Sequence, residues 1–496
     1  MTTTLDAGRT KRLVALLVGS AFVVILNETI MSVALPELMR EFDVEATTAQ
    51  WLTTAFLLTM AIVIPVTGFL LTRFPLRTVF VAAMGSFSAG TLVAALAPTF
   101  PLLVTGRVVQ AVGTALMMPL LITTILNVVE PERRGRMMGT ISIVISVAPA
   151  IGPTVSGLVL DSLSWRWMFW LVLPIALVAL GLGASWVRNV TEPRRVPVDV
   201  VSVVLSALAF GGLIYGLSSI GESAAGEVPL APWIPLALGA AALVAFVVRQ
   251  LTLEDRALLD LRAFAVPSFS IAVALVAVSM MALFGTLILL PLFLQNVLGL
   301  TTLQTGLVLL PGGLAMGLLA PVVGRVFDRV GPRPLVAPGA AVTSAALWGM
   351  TTLDAASGRP AVIGLHVLMS VGLALMFTPL LTSALGSLPQ QLYSHGSAIV
   401  STLQQVAGAA GTALFITVMT RGIAAGTEAG TSVVDATADG IHTALTYGGA
   451  ISAVAVLVAL LVRRPSESQS QAAAPEPETE PESEPESGRA AVGAPR

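Results

Sequence analysis

Apolar stretches as long as the hydrocarbon core of a bilayer recur along nearly the whole chain, and such stretches can fold in few ways. A run of ~20 apolar residues crosses that core as an α-helix, which satisfies its own backbone hydrogen bonds where no water can. Fourteen spans are predicted, at 13–35, 50–71, 78–97, 101–127, 138–160, 165–187, 199–220, 231–251, 268–292, 304–326, 334–353, 361–386, 397–420 and 442–462. Charged residues make up only 11% of the chain, against roughly 25% in soluble domains. The expected fold class is therefore an all-α membrane protein. Leu13–Leu35 exceeds the apolar core of a signal peptide, ~7–15 residues, and is predicted to be a retained first helix.

Basic residues orient the spans. With the N-terminus inside, the inner connections carry nineteen Lys and Arg and the outer ones four. Positive charge collects in cytoplasmic loops, so both termini are predicted to be cytoplasmic. The many Arg beside the single Lys11 suggest a bacterial source, and hence a multi-pass protein of the bacterial inner or plasma membrane. From Pro465 the composition turns to Pro, Glu and Ser, as in "PEPETEPESEPESG", and 465–496 is predicted to be a disordered acidic tail.

Composition also excludes chemistry. Without Cys there is neither a disulfide nor a thiolate site, and His366, His395 and His442 lack metal-ligand spacing. With Lys11 the only lysine, no phosphate-binding Gly-Lys-Ser/Thr loop is possible. Active transport would then draw on an ion gradient or on a separate ATPase. No nucleophile–base pair emerges, so an enzyme, a cofactor and a nucleic-acid partner are not expected.

The chain repeats itself. "IPVTGFLLTRFPLR" (Ile64–Arg77) matches "APVVGRVFDRVGPR" (Ala320–Arg333), aligning Pro65 with Pro321, Gly68 with Gly324, Arg73 with Arg329 and Arg77 with Arg333 at an offset of 256. Pro36 and Pro291 follow at 255. Two related six-helix halves are predicted, 1–190 and 263–464, with two inserted helices and a linker at 191–262. Parallel repeats of this kind build transporters whose substrate site lies between the halves.

"GRVFDRVGPR" resembles the loop signature of the major facilitator superfamily, in which Gly324, Asp328, Arg329, Gly331 and Arg333 take the signature positions. "GRVVQAVGTA" in the fourth span, "PAIGPTVSG" in the fifth, "SWRWMFWLVLP" and "STLQQVAGAAG" resemble further family segments in the same order. The fourteen spans resemble its drug:proton antiporter family. That resemblance implies two six-helix bundles that rock about a central cavity. It also implies a proton-coupling role for Arg107, a cytoplasmic gate at the loop signature and a bend at Pro149, Gly152, Pro153 and Gly157. The chain departs from the pattern at Thr72 (Asp), Pro75 (Gly), Ala111 (Gly) and Ser156 (Gly). In "ILNETIMSVALP" it has Asn27 where the family often has Asp, with Glu28 beside it.

Glu28 is the one carboxylate well inside a predicted span. An acid at that depth costs ~2.5–3.5 kcal/mol on insertion scales and almost always faces a cavity or a partner. Loss of water favours the neutral acid, which would let the group load and release a proton. Arg107 is the one basic residue well inside a span and stays charged, so it needs acceptors; Glu28, Asn27 and Gln110 are candidates. Asn27 and Glu28 differ by about 100° around the helix, and either could face Arg107. Asp328 is expected to cap backbone N–H groups and pair with Arg side chains; the first-half gate motif, with Gly68, Arg73 and Arg77, lacks the carboxylate, so a latch there is expected to be weaker or built from Thr72 and Arg77. Tyr215, Gln295, Gln404 and Gln405 are expected as polar groups of the cavity, and Met117, Met118, Met280, Met281 and Phe284 as adaptable walls. His366 is expected to be packed or to face a mouth.

The expected function is proton-coupled export of lipophilic drugs or antibiotics by a monomer in contact with membrane lipids, with neutral or monocationic substrates. Alternatives are export of an endogenous metabolite or siderophore, proton-coupled uptake, a permease driven by a partner ATPase, and a receptor without turnover.

Overall fold

Where long apolar runs alternate with short polar turns in the sequence, helices alternate with turns in the backbone. The computed structural model describes residues 7–44, 46–187, 199–223, 230–253, 256–354 and 357–462. The predicted tail at 465–496 and the linker stretch 191–198 lie outside the described residues. The long helices are α1 (Ala7–Phe42), α2 (Ala46–Arg73), α3 (Leu76–Leu96), α4 (Phe100–Val128), α5 (Arg134–Ser162), α6 (Trp167–Trp186) and α7 (Val200–Ser223). They continue as α8 (Trp233–Leu253), α9 (Pro267–Leu292), α10 (Thr302–Val330), α11 (Arg333–Met350), α12 (Arg359–Gly386), α13 (Tyr393–Glu428) and α14 (Val433–Ala459). Among the described residues twelve of these, all but α5 and α11, are long and apolar enough to cross a membrane. The chain is thus an all-helical, multi-pass membrane protein.

The ends differ from the expected spans because capping and polar turns extend helices beyond their apolar parts. α1 carries Arg9, Lys11 and Arg12 at its start and Glu37, Arg40 and Glu41 near its end. α14 begins at Val433, ahead of the expected 442, because the Ser432 hydroxyl accepts a hydrogen bond from the Asp435 N–H and caps it. Leu158, Leu238 and Leu318 project from the bundle at 66–72% exposure. In lipid such side chains lose nothing, whereas the polar residues turn inward.

Neighbouring helices pair as α3 with α4, α7 with α8, α11 with α12 and α13 with α14, while α5 packs along α10 and α2 along α13. The α7–α8 pair rests on α2 and α13 through α7, where Tyr215 stacks on Trp51 with ring centroids 6.2 Å apart. The pair is tied by a bidentate bridge from Arg249 to Asp199, at 2.7 and 2.8 Å. Gln250 then holds the next turn, accepting from Leu258 N–H at 2.7 Å and donating to Ser202 Oγ at 2.8 Å.

The Arg249 hydrogen bonds hold the Asp199 carboxyl well below the usual carboxylate range. A depressed folded value means that the stabilisation is complete above the unfolded value, about 3.9, and is lost only as pH falls through the folded one. Acidification to about pH 5 is therefore expected to leave the pair intact, whereas Asp199→Asn loosens it. Hydrogen exchange in α8, corrected for intrinsic rates, checks both outcomes.

Candidate functional site

Two polar centres meet on α1, one sealed and one open to a cavity. The sealed one is built on Arg107 of α4, whose side chain is 1% exposed. Its Nη1 donates to Gln110 Oε1 at 2.6 Å and to Asn27 Oδ1 at 3.2 Å. Gln110 lies one turn on along α4, so its amide reaches back to the guanidinium while its Nε2 donates to Thr91 Oγ1 of α3 at 2.8 Å. Phe56 of α2 completes the enclosure, its ring centroid 4.0 Å from the guanidinium carbon, a distance at which a desolvated cation is attracted to the ring face. A buried cation depends on the acceptors around it; here two neutral amides meet Nη1 and a π-face covers the guanidinium, Nε has no acceptor among the described residues, and the Glu28 carboxylate acts on the cation through space.

Asn27 thus faces Arg107, and Glu28, about 100° further round α1, faces a cavity of about 210 Å³. Among the described residues no hydrogen bond or ion pair holds the Glu28 carboxylate. Five helices line the space: α1 with Glu28 and Thr29, α2 with Met60 and Ile64, α4 with Thr114, Met117, Met118 and Pro119, α9 with Met280 and Phe284, and α13 with Ser401, Gln404 and Gln405. Apart from Glu28 and a few hydroxyls and amides, the wall is thioether, aliphatic and aromatic. It can wrap an apolar ligand of irregular shape and leaves one carboxylate to meet a proton or a cation.

Met117 and Met118 lie on this wall, but Met281 does not; it turns its backbone toward Gly411. Tyr215 lies away from the cavity at the α7–α2 contact, and Gln295 is exposed in the wide turn that follows α9. Both are polar residues near span ends, which the sequence does not separate from cavity residues. His366 is buried against Gly312 of α10. Gly152 of α5 crosses Thr29 so closely that an added Cβ would lie 2.2 Å from Thr29 Oγ1, whereas Gly157 has open space around it. Pro149 and Pro153 stand inside the helical run of α5. Phe56, Thr91 and Ser401 were not singled out in the sequence. Ser401 had a signal, three and four residues before Gln404 and Gln405, which puts all three on one helical face.

At the Arg-rich end, a seam joins the first six helices to the last six. Asp328 of α10 accepts from the N–H groups of Gly135 (2.9 Å) and Arg136 (3.0 Å), in the first turn of α5. The carboxylate thereby caps a helix N-terminus, where unpaired N–H groups and the helix dipole both favour negative charge. Arg134 donates to Tyr393 Oη at 3.0 Å and to the Leu126 carbonyl at 2.8 Å. In the first repeat, Thr72 meets Ser394 Oγ at 2.9 Å, so a hydroxyl pair stands where the second repeat has a carboxylate. Gly68 lies against the backbone of Ser394 and His395. The two turns also differ: Gly331 takes φ 80, which favours glycine, while Pro75 at the matching position has φ −57. Arg73 is 5.9 Å from the Phe74 ring, and Arg333 opens α11; Arg77 and Arg329 flank the same turns.

A further contact between the two halves lies one turn from the cavity. Thr123 and Ser397 share a hydrogen bond of 2.8 Å; they lie four residues from the lining residues Pro119 and Ser401, about 6 Å along their helices.

Asn27→Leu tests the sealed centre. It removes one acceptor from a buried guanidinium, and hydrogen bonds to charged groups are worth about 1.5–3 kcal/mol. The apparent Tm in detergent is expected to fall by several degrees, with Asn27→Asp at or above wild type.

The match to known proteins agrees with this architecture. Residues 17–412 match the Major Facilitator Superfamily model. The chain is 42% identical over 457 residues to the lincomycin resistance protein LmrB of Listeria monocytogenes, covering 91% of this chain and 96% of that one. It is 30% identical to a multidrug resistance protein B homolog of Mycobacterium tuberculosis, covering 80% and 73%. Among solved structures, the human organic anion transporter MFSD10 superposes with TM-score 0.67 at 15% identity, covering 91% of this chain and 99% of that one. The proton:xylose symporter XylE superposes with TM-score 0.63 at 15% identity, covering 93% and 97%. By sequence and by fold, the chain belongs to the Major Facilitator Superfamily.

Proposed function

We infer that the chain exports lipophilic drugs or antibiotics across a bacterial plasma membrane in exchange for protons. The observation that carries this reading is the cavity of about 210 Å³, lined from α1, α2, α4, α9 and α13, with the unpaired Glu28 on its wall. The names of the relatives, lincomycin resistance and multidrug resistance proteins, support the substrate class. In this reading all fourteen helices span the bilayer, as in the drug:proton antiporters with fourteen helices, and both termini are cytoplasmic. Residues 1–190 and 263–464 form the two rocking bundles, 191–262 the insertion, and one chain acts alone among membrane lipids.

In this reading the Arg-rich end is the cytoplasmic one, and the seam that joins the two bundles there keeps that side shut in this conformer. A proton arriving at Glu28 from outside neutralises the carboxylate and favours release of a bound cation; rocking then exposes Glu28 inward, where the proton leaves. Neutral substrates use the same cycle, since one protonation per turn still couples the two movements. Arg107 fixes α1 against α4 through Asn27 while Glu28 changes charge. The test is uptake of a labelled drug into inverted vesicles under an imposed pH gradient without ATP. Uptake that collapses with a protonophore supports exchange; uptake that needs ATP, or none across a broad drug panel, overturns it.

A further inference from the structure

The cavity holds a second set of polar groups that the proton cycle does not use. On α13, Ser401 is 6% exposed and its Oγ has no hydrogen-bond partner among the described residues, and the buried Nε2 of Gln404 likewise has none. Both residues line the cavity. The neighbouring Gln405 is engaged, its Nε2 directed at Met60 Sδ at 3.7 Å. Many hydroxyls of the bundle satisfy themselves on the carbonyl one turn back, as Thr402 does on Ala398 and Thr114 on Gln110; Ser88, Thr286, Thr305 and Ser383 do not, but none of those four lines the cavity. Ser401 forgoes that bond. A buried donor left unmet costs about 1–3 kcal/mol, so two of them on one cavity wall mark a place where a ligand atom completes the hydrogen bonding.

An amide N–H₂ can only donate, and a hydroxyl can donate as well. The group that satisfies both is therefore an acceptor oxygen, such as a ketone, amide or sulfonyl. Glu28 meets the same cavity from α1, a different wall, and takes a cationic amine. Between them the surface is Met60, Met117, Met280 and Phe284.

We propose that Gln404 and Ser401 form an acceptor-reading subsite, and that preferred substrates are lipophilic molecules carrying both one basic amine and one carbonyl-type oxygen. This rests on the export reading above and narrows its substrate class. Gln404 and Ser401 are specificity-determining residues and take no part in proton movement.

The test uses two labelled probes: an aryl ketone with a dimethylamino group at the far end of a saturated chain, and the same molecule with the ketone reduced to methylene. Binding to the purified full-length protein is measured first, then transport in vesicles under a pH gradient. Wild type is expected to bind the ketone roughly tenfold more tightly, because the methylene analogue leaves the donors unmet. Gln404→Leu is expected to erase that preference by weakening the ketone alone. Ser401→Ala, a change of one oxygen, is expected to reduce it a few-fold and guards against a folding defect in the first variant. Equal affinities in wild type, binding of neither probe, or a Gln404→Leu loss shared equally by both probes overturns the subsite. If wild type discriminates between the probes in binding but moves neither under the gradient, the subsite stands and the export reading falls.

Discussion

Glu28→Gln is expected to abolish uphill efflux driven by a pH gradient while leaving downhill exchange of a neutral drug in place. Glutamine has the shape of the neutral acid but cannot release a proton. The variant is therefore held in the protonated half of the cycle, where substrate still fits the Met and Phe wall. Two effects should separate. Concentrative transport disappears for every substrate, because coupling requires the charge to change. Affinity falls only for amines, by about tenfold, since a charge-assisted hydrogen bond worth ~1.5–3 kcal/mol is replaced by a neutral one. Glu28→Asp retains the acid on a shorter arm and is expected to keep coupling at reduced turnover. The site also sets the control: Asn27, next in sequence, belongs to the sealed centre with Arg107, so Asn27→Gln lowers stability without uncoupling. Matched-expression vesicles assayed with and without the gradient, alongside drug counterflow, distinguish these outcomes. Full gradient-driven efflux by Glu28→Gln would remove the proton from this residue altogether.

The helix ladder was legible because bilayer thickness imposes its length on apolar runs, and that signal is additive along a segment. Helix ends were not, because one side chain such as Ser432 can move a boundary by two turns. Glu28, Arg107, Gln404 and Gln405 stood out for a related reason: a polar residue in an apolar run costs free energy and so calls for a partner or water. What the run cannot give is the direction a side chain faces. Whether Asn27 or Glu28 met Arg107 depended on where α4 and α2 lie against α1, and hence on Phe56 and Thr91, which are ordinary residues in their own helices. Tyr215 and Gln295 show the reverse, polar residues placed at a helix contact and in a turn rather than in the cavity. Asp328 was marked by its motif, but its partners, the N–H groups of Gly135 and Arg136, are backbone, and backbone groups leave no trace in residue identity. Among the described residues twelve helices qualify by length and apolarity, and α5 and α11 do not; there polar and small residues dilute the additive signal.

The α5–α10 seam offers the second large effect. An added Cβ at Gly324 would lie 2.2 Å from the Gly135 carbonyl oxygen, and one at Gly135 would lie 2.2 Å from Asp328 Oδ1. In the first case the obstructing atom is backbone, so no rotamer change relieves it. Gly324→Val must push α10 from α5 and draw Asp328 away from the N–H groups it caps. Overpacking of this kind costs about 1–3 kcal/mol, and loss of a helix cap about 1 kcal/mol more. Both penalties fall on the conformer that has this seam closed. Where two states lie within a few kcal/mol of each other, that is enough to make the alternative dominant. The natural absence of Cys provides a clean reporter: Met118→Cys places one thiol on the cavity wall. In this background Gly324→Val is expected to raise labelling by a membrane-impermeant thiol reagent applied to the Arg-rich face by about tenfold or more, the factor that 1.4 kcal/mol commands. Transport should fall in parallel, because the seam can no longer close in each cycle. Gly157→Val on α5, where an added Cβ meets no other helix within 4 Å, is expected to leave both labelling and transport near wild type. Unchanged labelling in folded Gly324→Val protein would show that the seam is packing alone and does not control access to the cavity.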